Sequence, residues 1–105
     1  MIELKVISEE YNGDMIFHII RDGVDVGALE ANYQDHMNSF YIENIKKSND
    51  YKGHGLLKEV IDHLHNVWKV DIGCLPLPKY RTYYEALGFK PYLTQGEDIY
   101  YRLEA

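Results

Sequence analysis

The hydrophobic period of this chain changes once, near residue 50, and that change limits the folds open to it. Before it, apolar residues alternate with polar ones, as a sheet with one buried face requires. Ile2, Leu4 and Val6 share one face of a strand over 2–7. Asn12-Gly13 and Asp22-Gly23, both strong hairpin signals, set off two more strands over 15–20 and 24–33. A fourth runs over 39–47, with Phe40 and Ile42 alternating against Tyr41 and Glu43. Beyond the change, Leu56, Val60, Ile61, Leu64 and Trp68 recur at helical spacing over 55–68. A short apolar strand over 70–75 stops at Pro76 and Pro78, and a second helix over 79–87 is closed by Gly88. Strands over 89–93 and 98–103 flank a Thr94-Gln95-Gly96 turn. The order β-β-β-β-α-β-α-β-β predicts an α/β (α+β) fold, a mixed and mostly antiparallel sheet with two flanking helices.

No linker or break in composition divides the 105 residues, so one domain over 1–105 with one core is expected. Hydrophobic residues at 46% and charged ones at 27% are ordinary for a soluble globular protein. No apolar run approaches the ~18 residues of a membrane span, and MIELKVISEE lacks the pattern of a signal peptide. The single cysteine, Cys74, offers neither an internal disulfide nor zinc-finger spacing, which points to a reducing cytoplasm. The five histidines make no metal set: His63 and His65 face different ways on a helix, and His18 and His36 lie elsewhere. Cys74 and Trp68 read as core residues.

Charge is unevenly spread. Residues 1–45 hold nine acids against two bases, Lys5 and Arg21. Residues 46–58 hold Lys46, Lys47, Lys52 and Lys58 against Asp50 alone, within a chain of net charge −6. An acidic chain with one short basic island does not suit nucleic acid, which needs a broad basic stripe. The island can instead hold a compact polyanion. It includes Asp50-Tyr51-Lys52-Gly53-His54-Gly55-Leu56-Leu57, a glycine loop between a strand and a helix start. Backbone N–H groups converge in such loops and the helix dipole favours anions. The spacing fits neither the Walker loop nor the Rossmann fingerprint.

About thirty residues later stands Tyr83-Tyr84-Glu85-Ala86-Leu87-Gly88-Phe89. Together the two segments resemble the GNAT N-acetyltransferase superfamily, with its Arg/Gln-x-x-Gly-x-Gly/Ala loop and later Phe-Tyr-x-x-x-Gly-Phe. Lys52, Gly55 and Leu57 fall on the three loop positions, and Leu56, Val60 and Ile61 on the apolar ones. A register through Asp50, Gly53 and Gly55 keeps both glycines but scrambles the apolar pattern. The resemblance covers residues 38–105 and, by strand order, extends loosely to the N-terminus. Three departures stand out. Leu57 replaces a small residue, Lys52 replaces Arg or Gln, and the two helices usual between the first and second strands have no room.

The resemblance implies a minimal acetyl-CoA-dependent N-acetyltransferase. Ile45, Lys46 and Lys47 would meet the thioester and pantetheine where the fourth and fifth strands part, the residue-45 amide polarising the carbonyl. Lys52, Gly53, His54, Gly55, Leu56 and Leu57 would hold the pyrophosphate. Tyr84 matches the family tyrosine that protonates the leaving thiolate, and Glu43 falls where many members place an acid that serves as base. Leu57 either turns inward with Val60 and Ile61 or blocks the phosphate site. The missing helices would leave the acceptor face open, and the acidic first 45 residues favour a cationic acceptor such as a protein lysine or a polyamine-like amine. No nucleic acid, membrane or metal partner is expected, and the chain would act as a monomer or homodimer. The alternative is a non-catalytic module of the same fold that binds a CoA ligand or a protein partner.

Overall fold

The computed structural model describes residues 1–105. Seven strands form one sheet: β1 (Ile2–Glu9), β2 (Asp14–Arg21), β3 (Val24–Gln34), β4 (Ser39–Lys47), β5 (Asp71–Cys74), β6 (Lys90–Gln95) and β7 (Asp98–Leu103). Their spatial order is β1-β2-β3-β4-β5-β7-β6. Every neighbouring pair is antiparallel except β4 and β5, which are joined in parallel through helix α1 (Leu56–His63). Helix α2 (Arg81–Ala86) lies between β5 and β6. The element order and the mixed, mostly antiparallel sheet agree with the sequence reading.

The differences are local and have physical causes. The helical stretch predicted over 55–68 is helical to its end, but its last turn, Leu64–Trp68, is a π turn closed by Lys69 at φ 56°. The helix expected from 79 begins as a 3-10 turn over Pro78–Tyr80, where a proline that lacks an N–H suits the first turn, and becomes α-helical only at Arg81. Thr94 and Gln95 belong to β6 rather than to a turn, and the hairpin closes on Gly96, at φ 61°, and Glu97. Asp22 and Gly23 both take positive φ, the two-residue geometry that matches strand twist.

One face of the sheet carries the core. Met15, Phe17 and Ile19 of β2, Leu29 and Ala31 of β3, and Phe40 and Ile42 of β4 are buried on it, together with Ile72 of β5. Leu56, Val60, Ile61 and Leu64 close over them, and Tyr84 and Leu87 at α2 join the same cluster. Trp68 stands edge-on to Phe17, Phe40 and Tyr33, with ring centroids 5.4–5.8 Å apart. The opposite face has no helix over it, because only Glu10–Gly13 separates β1 from β2. It is polar and wet, as an antiparallel sheet with one solvated side should be. There Asn32 donates to Asp14 (2.9 Å), Asn44 to Glu30 (3.2 Å), and His18 pairs with Asp25 (2.8 Å).

Phe40 is fully buried and touches Phe17, Tyr33 and Trp68. Phe40→Ala should therefore cost about 3–5 kcal/mol in urea unfolding, as truncation of a core aromatic does.

Candidate active site

The pairing of β4 with β5 covers only Ser39–Ile42 against Asp71–Cys74. Leu75-Pro76-Leu77-Pro78 follows, and proline cannot donate to a sheet ladder. β4 continues alone on that side to Lys47, so its outward backbone groups from Glu43 onward have no strand partner there. The strands part into a cleft of about 550 Å³. Its walls are Ile42, Glu43, Asn44, Ile45 and Lys47 from β4, Leu56 and Leu57 from α1, and Tyr80, Tyr83 and Tyr84 at α2. Cys74, Leu75, Pro76 and Leu77 complete it. An extended ligand chain there can bond to β4 as an added strand would.

At one end of the cleft stands the start of α1. Gly55, at φ 77°, precedes it, and no side chain caps it. The first bond back to the loop is from the Glu59 N–H to the Gly55 carbonyl, 3.0 Å, so the N–H groups of Leu56, Leu57 and Lys58 have no intrahelical acceptor. Such a terminus attracts anions. Leu57 packs partly against the core and partly lines the cleft. It forms a wall of the cleft while turning partly inward beside Val60 and Ile61.

The remaining sequence-predicted residues divide by position. Ile45, Lys47, Leu56 and Leu57 line the cleft. Lys52, Gly53, His54 and Gly55 form the loop leading into α1, outside the cleft wall, and the Lys47 ammonium reaches the Gly53 carbonyl at 3.4 Å. Lys46 alternates away from them, paired with Ala28 across the open face. Leu77 and Tyr80, two exposed residues of the cleft, carried no sequence signal beyond their place beside Pro78.

Tyr84 is held by the end of its own helix. The Phe89 N–H donates to the Tyr84 carbonyl (3.1 Å) and the Gly88 N–H to the Glu85 carbonyl (3.0 Å). Gly88 sits at φ 101°, and the Phe89 ring meets the Tyr84 ring edge-on at 5.3 Å. This is a Schellman closure with its usual apolar contact. It explains why Tyr-x-x-x-Gly-Phe is a mechanical unit: the glycine supplies the left-handed turn, and the phenylalanine packs on the tyrosine it orients. Tyr101 adds a second tie, donating to Glu85 at 2.9 Å. Burial, with smaller contributions from Cys74 and Tyr83, pushes the Tyr84 phenol up to about 12, so it is protonated at neutral pH. Burial likewise raises the Cys74 thiol to about 12, which makes it a poor nucleophile.

Glu43 is the structural surprise of β4. Ile42 faces Ala31 and Asn44 faces Glu30, so Glu43 is the extra residue of a β-bulge and not a member of a simple alternation. The bulge turns it toward both sides of the sheet. It lines the cleft and also a groove of about 200 Å³ on the open side, shared with Ser8, Glu10, Asp14, Met15, Ile16 and Glu30. Partial burial, then Asp14 and Glu30, raise its carboxyl above the ordinary carboxylate value.

No family model matches the sequence, and no curated protein matches it. Solved structures do match. The Campylobacter jejuni N-acetyltransferase PseH in complex with acetyl coenzyme A superposes with a TM-score of 0.62 at 18% identity, covering 88% of this chain and 68% of that one. The IAA acetyltransferase from Bacillus cereus gives 0.65 at 10% identity over 100% of both chains. The spermidine N-acetyltransferase from Vibrio cholerae gives 0.56 at 16% identity, over 88% of this chain and 64% of that one. The fold is that of the GNAT N-acetyltransferases.

Gly88→Ala forces a side chain into positive φ with only a loose contact to Leu103 at 3.4 Å. The expected loss in urea unfolding is about 1–2 kcal/mol, set by backbone strain rather than by overlap.

Proposed function

We propose that residues 1–105 form one acetyl-CoA-dependent N-acetyltransferase unit that acts on a cationic primary amine. The observation that carries this reading is the cleft itself. A free strand edge, an uncapped helix start and a half-buried, protonated tyrosine meet where β4 leaves β5. The donor's groups suit what is present. Apolar walls and the β4 edge fit pantetheine, and the α1 N-terminus with Lys47 and the Lys52–Gly55 loop suits a pyrophosphate.

The chemistry asked of the protein is modest. Glu43 takes a proton from the ammonium, and the amine nitrogen forms a bond to the thioester carbonyl carbon. The Ile45 backbone N–H polarises that carbonyl. As the C–S bond breaks, the Tyr84 hydroxyl gives its proton to the sulfur. Glu43, having released the first proton to solvent, takes the second from the nitrogen as the amide forms, and solvent carries it back to Tyr84. Glu10, Asp14, Glu30 and Glu43 around the open-side groove favour a positively charged acceptor, with Met15 and Ile16 offering apolar contact to its methylenes. The Vibrio cholerae protein named above is a spermidine acetyltransferase, which makes spermidine the first amine to try.

The test is thiol release from acetyl-CoA across a panel of cationic and anionic amines. Transfer to cationic amines is expected. Binding of CoA with no transfer to any amine means a binding module instead. Tyr84→Phe keeps the ring contact with Phe89, so acetyl-CoA affinity should persist while turnover falls about 10²–10⁴-fold. In the wild type, kcat/KM should rise as pH climbs through the raised Glu43 ionisation, since the base must be deprotonated. The fall due to Tyr84, which must stay protonated, lies near pH 12.

A further inference from the structure

Arg21 belongs to none of the motifs above, yet it joins the loop and the helix start at the proposed phosphate end of the cleft. From the last position of β2 its Nη1 donates to the Tyr51 hydroxyl at 2.6 Å, and its Nη2 lies 3.1 Å from a carboxylate oxygen of Glu59. Tyr51 stands in the middle of the loop, with its N–H on the Ser48 carbonyl at 3.1 Å and its side chain packed against the core. Its ring covers Gly53 so closely that any side chain at 53 would collide with the ring's hydroxyl end. Glu59 is in the first turn of α1, and its own N–H makes the bond that starts the helix.

Ion pairs this exposed add little stability. What two bonds from one planar guanidinium do is fix geometry, here the position of the loop relative to the helix start. Gly53 fits the same account: its missing side chain makes room for Tyr51, while Lys47 grips its carbonyl from the cleft side.

We propose that Arg21 is a positioning residue for the donor's pyrophosphate: through Tyr51 and Glu59 it presets the Ser48–Gly55 loop and the start of α1 for binding. The inference rests on the acetyl-CoA reading given above. A preset loop spares the ligand the cost of ordering it. The benefit falls on the part of the ligand that touches the loop and leaves the pantetheine arm, bound along β4, indifferent.

The test is calorimetry or NMR titration with CoA and, separately, with pantetheine, on the wild type, Arg21→Met, Tyr51→Phe and the double variant. Tyr51→Phe keeps the ring over Gly53 and removes only the hydroxyl, which guards against a failure of Arg21→Met to fold. Each single variant should lose about tenfold in CoA affinity, the scale of one charge-assisted hydrogen bond. Pantetheine affinity should stay constant, and the double variant should be no weaker than the weaker single one, since both break one latch. Unchanged CoA affinity, equal losses for CoA and pantetheine, or losses that multiply in the double variant would each overturn the latch alone. A wild type that binds no CoA overturns the acetyltransferase reading and the latch with it.

Discussion

Parallel pairing between β4 and β5 lasts four residues, and the cleft exists because it ends there. Up to Ile42 and Cys74 the two strands are locked by the core beneath them, where Phe40 and Ile72 are fully buried. Past that point Pro76 and Pro78 deny β5 a ladder, while β4 stays fastened to β3 as far as Lys47. One strand is thus held rigidly on one side and left unpaired on the other. The helices add the rest, α1 presenting its free N–H groups at one wall and α2 its tyrosine at the other.

The split also separates charge. The α1 side of the cleft offers a helix N-terminus and Lys47, whereas the open side of the sheet carries Glu10, Asp14 and Glu30 around their groove. Glu43 touches both regions. For the proposed reaction this arrangement is economical. An anionic donor and a cationic acceptor would each meet favourable charge on its own approach, although the chain as a whole carries −6. The bare sheet face follows from the short Glu10–Gly13 connection and leaves the acidic groove uncovered.

Much of this was legible in the sequence because it is written locally. Asp22-Gly23 names its turn, the apolar spacing from Leu56 to Trp68 names its helix, and Tyr84 with Gly88 and Phe89 closes within six residues. What escaped the sequence depends on residues distant in the chain. The latch from Arg21 to Tyr51 spans thirty positions and leaves no periodic trace. The side chain of Lys46 lies across from Ala28 while that of Lys47 lines the cleft, and this follows from a bulge that no hydropathy pattern marks. The later start of α2 has a plainer origin in Pro78, which opens the segment as a tighter turn.

That bulge has a further effect on β4 as a whole. In an unbroken strand, residues of the same parity share a face, so Phe40 and Ile42 would be joined by residues 44 and 46. Glu43 is counted out of the ladder, and the parity inverts: Ile45 and Lys47 now point the way Ile42 does. The first half of the strand thereby builds core with its even residues, and the second half builds cleft with its odd ones. A strand that kept Glu43 in the ladder would turn Asn44 and Lys46 toward the face of Ile42 and put Ile45 on the wet face. Leaving one glutamate out of the ladder decides whether that face of the strand presents Ile45 and Lys47 or Asn44 and Lys46.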